Sequence, residues 1–324
     1  MKRKVSNIII IIITIIIGIE VMFERASVLD TVSFSFNVWA YNLFPSLFPF
    51  FVISSILIEC GFPEFLSGLL SKFMYKLFKI NGNGAFVLIM SMLSGFPSSA
   101  KYTRTLYDSG SITDKEATKL LTFTHFSNPL FILGTISIIF LNNKKAGLII
   151  LIIHYFSNFI IGLLFRNYYP SKVPRNTIKN AIINMDKKRK ELNKTLGEII
   201  TNSLNNAINT LFLILGIVTM FLVLTTVINN NLPINNYYKA IINGIFEMSG
   251  GLKAVSLLDI SLKSKSIISV FIISFGGLSV HMQTLSIISG TPIKYFPYFI
   301  SRLLHAILSL LLTFFTFDLL ITLL

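Results

Sequence analysis

Charge is what this chain has least of. Only 13% of its 324 residues are Asp, Glu, Lys or Arg, about half of what a soluble domain carries to solvate its surface. Cys60 is the sole cysteine, so neither an intrachain disulfide nor a thiolate metal site can form. The four histidines, at 125, 154, 281 and 305, lack the i, i+4 spacing of a zinc helix. No G-x-x-x-x-G-K-[ST] loop, no G-x-S-x-G turn and no paired carboxylates occur, which argues against ATP hydrolysis and an intramembrane enzyme. The expectation is a non-enzymatic protein without cofactor or metal.

Apolar residues make up 53% of the chain and the mean hydropathy is +0.73. They come in runs long enough to cross a hydrocarbon core of roughly 30 Å. The net charge of +14 is unevenly placed. Arg166 to Leu196 holds nine basic residues against Asp186 and Glu191, half of the total excess. Basic clusters beside membrane spans mark the cytoplasmic side, so this charge reads as orientation and not as nucleic-acid binding.

The first run, Val5 to Phe23 behind Lys2, Arg3 and Lys4, has no A-x-A-like cleavage site and reads as a retained helix with its basic end inside. Further runs are Leu43 to Glu59, Leu120 to Leu141, Leu148 to Phe165, Leu204 to Ile228 and Tyr295 to Leu323, with an interrupted one from Ile267 to Ser289. Two weaker stretches, Ala85 to Pro97 and Ala240 to Leu258, suit hairpins that enter the bilayer and return, which persist at depth only inside protein or along a wet cavity. The amphipathic stretch Glu64 to Ile80 reads as a helix on the cytoplasmic interface.

The expected fold is therefore all-α and polytopic, an inverted repeat with two re-entrant hairpins and two broken transmembrane helices behind an extra N-terminal helix. Its expected parts are an N-terminal helix and connector (1–36), a first repeat (37–165), a basic cytoplasmic linker (166–197) and a second repeat (198–324). Secondary transporters use this plan and bind solute near the midplane, where interrupted segments of the two halves meet.

Here those segments are FTHFSNPLFILG (Phe123 to Gly134) and SFGGLSVHMQTLS (Ser274 to Ser286). Pro129 disfavours helix at Asn128, and Gly276 with Gly277 frees the second break. Thr124, His125, Ser127 and Asn128 flank the first; Ser279, His281, Gln283 and Thr284 flank the second. The hairpins add SGFPSSAK, with Ser94, Gly95, Pro97, Ser98, Ser99 and Lys101, and EMSGGLKA, with Ser249 and Gly250. Bare helix N-termini favour anions, and Lys101, Arg104 and Lys253 add positive charge nearby. Glu247 is a candidate acceptor for a coupling proton, with a salt bridge to Lys253 or Lys101 as the alternative. His154 and His305, in apolar spans, read as structural.

Pro45 to Leu57, Gly84 to Lys101, Leu120 to Gly134 and Ser274 to Thr291 together resemble the YlbJ-like sporulation integral membrane proteins, of the nucleoside-recognition (Gate) group related to concentrative nucleoside transporters. The resemblance implies a place in the mother-cell membrane around the forespore and movement of dipicolinate, a small dianion. It also implies a substrate-binding role for Ser94, Gly95, Pro97, Lys101, Ser127, Asn128, Pro129, Gly276, Gly277, Ser279, His281 and Gln283. Alternatives are a nucleoside-like solute or a non-transporting scaffold for spore-envelope assembly. Expected partners are the solute and the lipid bilayer, with a second copy or other sporulation membrane proteins as further options.

Overall fold

Helices make up nearly all of the computed structural model, which describes residues 2–171 and 178–324 and contains no strand among them. Five helical stretches among the described residues are long and apolar enough to cross a bilayer: Arg25–Glu59, Lys144–Asn167, Leu196–Asn231, Leu262–Ile288 and Phe296–Leu323. Many of their large apolar side chains, such as Ile152, Phe212, Phe315 and Leu319, face outward. That is the sign of a chain whose surrounding solvent is lipid.

Helix α1 (Lys2–Phe23) carries the isoleucine run, with Ile8, Ile11, Ile12, Ile15 and Ile19 exposed. Helix α2 (Arg25–Glu59) follows almost at once, which corrects the expected connector before residue 37. The polar stretch Ser27 to Ser35 stays helical because its hydroxyls bond within the helix and across to a neighbour. Thr31 donates to the Ser27 carbonyl and meets Thr226; Ser35 donates to the Val32 carbonyl and meets Thr219. The helix loosens to π winding at Trp39–Leu43, just ahead of Pro45 and Pro49.

The amphipathic stretch forms α3 (Phe62–Phe78), which buries Leu66, Met74 and Phe78. It packs against α9 (Ile178–Leu192), so much of the expected basic linker is itself a helix. Lys172 and Arg175 of that linker lie outside the described residues. A short pair, α4 (Gly84–Ser94) and α5 (Ser98–Asp108), leads to α6 (Asp114–Phe123). The latter starts on a Thr113–Glu116 capping box, the reciprocal arrangement that satisfies two orphan amides. The expected run 120–141 is thus divided: α6 ends at Phe123 and the π-wound α7 (Phe131–Phe140) takes up the rest. Helix α8 (Lys144–Leu164) returns.

After α10 (Leu196–Asn231) the same succession recurs: a short pair α11 (Asn236–Phe246) and α12 (Met248–Ser256), an interrupted pair α13 (Leu262–Phe275) and α14 (Gly277–Ile288), then the long α15 (Phe296–Leu323). The centre is built where α8 and α15 pack on each other and on the two interrupted helices.

Candidate functional site

Helix α6 stops at Phe123 and its terminal carbonyls are left in the buried middle of the bundle, where each unpaired group would be costly. Two side chains from other helices satisfy them. Asn158 of α8 donates its amide to the carbonyls of Phe123 (3.0 Å) and His125 (3.1 Å). Arg302 of α15, fully buried, donates to the carbonyls of Thr122 (2.7 Å) and His125 (3.1 Å), to Asn158 Oδ1 (2.8 Å) and to His305 Nδ1 (3.0 Å). A cation at a helix C-terminus is also favoured by the helix dipole.

A single imidazole joins the two breaks. The Ser127 amide donates to His154 Nε2 (2.9 Å), so that nitrogen carries no proton, and Nδ1 donates to Ser274 Oγ (2.9 Å). Ser274 passes the chain to Ser309 (2.9 Å), and His305 donates Nε2–H to the His154 carbonyl (2.9 Å). The histidines of the breaks converge as well. The Tyr298 ring lies 5.0 Å from that of His125 and 5.1 Å from that of His281, and its hydroxyl meets His125 Nε2 at 2.9 Å.

Each hairpin tip presses on one break. Gly95 has φ +78°, and a Cβ there would lie 2.6 Å from the Asn128 amide nitrogen. Gly277 has φ +68°, and its Cβ would lie 3.2 Å from the Met248 nitrogen. Asn128 is the cap of the restarted helix: Oδ1 accepts from Leu130 N (2.7 Å), while Nδ2 donates to carbonyls of Ser46, Leu93 and Ser94. With Pro129 next, this is a helix start of the usual kind. Glu247 plays the corresponding part at α12, accepting from Gly250 N (2.8 Å) and the Ser249 hydroxyl. It forms no salt bridge with Lys253 or Lys101, the alternative raised by the sequence.

The predicted residues therefore separate by position. Gly95, Asn128, Pro129, Glu247, Ser249, Gly250, Gly276 and Gly277 shape turns and caps. Ser94 and Ser98 bond each other (2.8 Å), and Ser99 meets Thr124 (2.7 Å), tying the first hairpin to the first break; Pro97 stands at the start of α5. His281 is bonded to Tyr295 and the Phe275 carbonyl, and Gln283 is buried on the same helix. Buried groups at the breaks that keep unused hydrogen-bonding capacity include His125 Nδ1, Ser127 Oγ, Ser279 Oγ and Arg302 Nε. Lys101, Arg104 and Lys253 do not reach the breaks. Lys101 bonds the Asn206 carbonyl and Thr210 on α10, Arg104 pairs with Asp108, and Lys253 lies over Phe34. The buried cation at the breaks is Arg302, which is not among the residues expected from the sequence, although an ionisable side chain inside an apolar span is itself a signal.

Between the hairpin tips and the first break lies a small gap, lined by Ser46, Phe96, Ser127, Asn128 and Met248 among others, of about 20 Å³. That is room for about one water. The centre is closed here.

Residues 40–144 match the family described as Gate, nucleoside recognition. The chain is 33% identical over 327 aligned residues to the sporulation integral membrane protein YlbJ of Bacillus subtilis (strain 168), covering 91% of this chain and 80% of that relative. No solved structure matches it.

Proposed function

The chain belongs to the YlbJ family of sporulation integral membrane proteins, and from that premise we propose that it transports a small organic anion, dipicolinate, across the mother-cell-derived outer forespore membrane. The observation that carries this reading is the meeting of two helix breaks at one imidazole, His154, inside a bundle of membrane-length helices. Interrupted helices at matched places in two halves are how secondary transporters place a site at mid-bilayer. On this reading 37–165 and 198–324 are oppositely oriented halves, the α4–α5 and α11–α12 pairs are re-entrant, and the solute is moved without chemical change.

An anion is favoured by the helix ends. Helices α7 and α12 start on the side-chain caps of Asn128 and Glu247, whereas α5 and α14 have none. Arg104 of α5 donates to the Ile287 and Ser289 carbonyls at the end of α14, which ties these two helices together. Helix starts without a side-chain cap attract negative charge. Arg302 adds a full positive charge behind the first break. A nucleoside-like solute is the second reading, favoured by the Gate match over 40–144.

Proteoliposomes holding the purified chain should take up radiolabelled dipicolinate faster than empty vesicles; equal rates overturn the proposal. Excess uridine should not compete, and competition would favour the second reading. Ser279→Ala with Gln283→Ala should lower uptake at least tenfold while the protein remains monodisperse. A scaffold would be indifferent to that pair.

A further inference from the structure

Two cavities border α10 at well-separated levels, and each is edged by a lysine from the second limb of a hairpin. Asn206 lines one and Asn229 the other. The stretch from 206 to 229 spans roughly 35 Å at 1.5 Å per residue, about the depth of a hydrocarbon core. The cavities therefore lie at opposite faces.

They are in different states. The one at Asn229 is about 590 Å³, bordered by Asp30, Thr226, Asn243 and Lys253, and it reaches Gly250 in the first turn of α12. The Lys253 ammonium sits 4.0 Å over the Phe34 ring and pairs with no carboxylate among the described residues. Asn229 Nδ2 donates to Asn243 Oδ1 (2.8 Å), which leaves the Asn243 amide nitrogen as a second donor. At the other face the cavity is about 60 Å³. There Lys101 stands 4.7 Å from the Phe51 ring, and its ammonium is bonded to the Asn206 carbonyl (2.9 Å) and Thr210 Oγ1 (2.8 Å).

We infer that the Lys253 cavity is an entrance vestibule that binds a small carboxylate, and that Lys101 latches the corresponding entrance on the opposite face. The inference rests on the transport reading above. Its size falls within the usual range for small-molecule sites, and an ammonium beside an amide donor suits a carboxylate through charge-assisted bonds. Asp30 on the same wall opposes tight retention, as an entrance requires. Lys101 spends two of its three N–H donors on α10, which holds its ammonium against that helix and away from a solute until α5 and α10 separate.

Thiol labelling tests this in lipid nanodiscs on a Cys60→Ser background, with a cationic methanethiosulfonate reagent. Thr226→Cys should react at least tenfold faster than Ser55→Cys, which lines the latched cavity. Dipicolinate or glutarate should slow Thr226→Cys at least fivefold, and uridine should not. Lys253→Gln should remove that protection and Lys253→Arg should keep it. Lys101→Gln should speed Ser55→Cys at least fivefold; an unchanged rate overturns the latch. Unprotected labelling in a preparation that does take up dipicolinate overturns the vestibule and leaves the transport reading standing. Protection without uptake sinks the transport reading and keeps the binding site. Protection by uridine alone overturns the ligand class.

Discussion

Arg302 carries a full charge into a long apolar helix and meets no carboxylate there; its partners are carbonyls, an amide oxygen and an imidazole. Interhelical hydrogen bonds in membranes average about 0.6 kcal/mol and reach about 1.7, so about 2–7 kcal/mol rides on these four. Arg302→Met should lower the thermal midpoint of the detergent-purified protein by several degrees and reduce dipicolinate uptake at least tenfold. Arg302→Lys, whose ammonium lacks the planar fork, should recover part of the stability. An unchanged midpoint in Arg302→Met would mean the carbonyls of Thr122 and His125 find other donors. The charge in FPYFISRLLHAIL (Phe296 to Leu308) is plain in the sequence. Its role is not, because its partners come from a break some 180 residues earlier that exists only once α6 has stopped.

At the scale of elements, the interruptions were readable because their causes are local. Asn128 before Pro129 is a cap followed by a ring that cannot continue a helix, and Gly276 adopts φ +89°, a conformation glycine takes without penalty. Continuity was harder to see than breakage. Ser27 to Ser35 looked like a connector, since nothing in that stretch announces that Thr219 and Thr226 will stand opposite to receive its hydroxyls. The hairpin tips depend on backbone approach, so a methyl group is a sharp probe. Gly95→Ala combines a positive φ with a backbone atom 2.6 Å from the new carbon. It should lower the thermal midpoint and abolish uptake, because the tip must lift off Asn128. Gly216→Ala in α10, with nothing within 4 Å, should hold or slightly raise the midpoint, since Ala is favoured over Gly inside a helix by about 0.5–1 kcal/mol. If the two behave alike, close packing of the tip is not what Gly95 supplies.

For the whole molecule, the sequence's apolar runs cover the five candidate spans, and its charge pattern predicts which way they point. Basic residues outnumber acidic ones nine to two over 166–196, and Lys194 of this segment pairs with Glu59 at the end of α2 (2.9 Å). The segment's helix α9 packs on α3, so one face gathers the positive charge, while the far end of α10 is a row of asparagines, 229 to 231. The rule that basic faces stay cytoplasmic predicts Lys187 inside and Asn231 outside. What the runs could not give is depth, since α4, α5, α11 and α12 are each too short to cross and owe their position to the breaks they touch. Single cysteines on a Cys60→Ser background test the orientation in whole cells, using exposed positions. A membrane-impermeant maleimide should label Asn231→Cys in intact cells and Lys187→Cys only after permeabilisation. The reverse pattern would invert the molecule and, with it, which face the open Lys253 vestibule serves. Labelling of both from one side would mean α10 does not cross, and an arrangement of opposed halves could not stand.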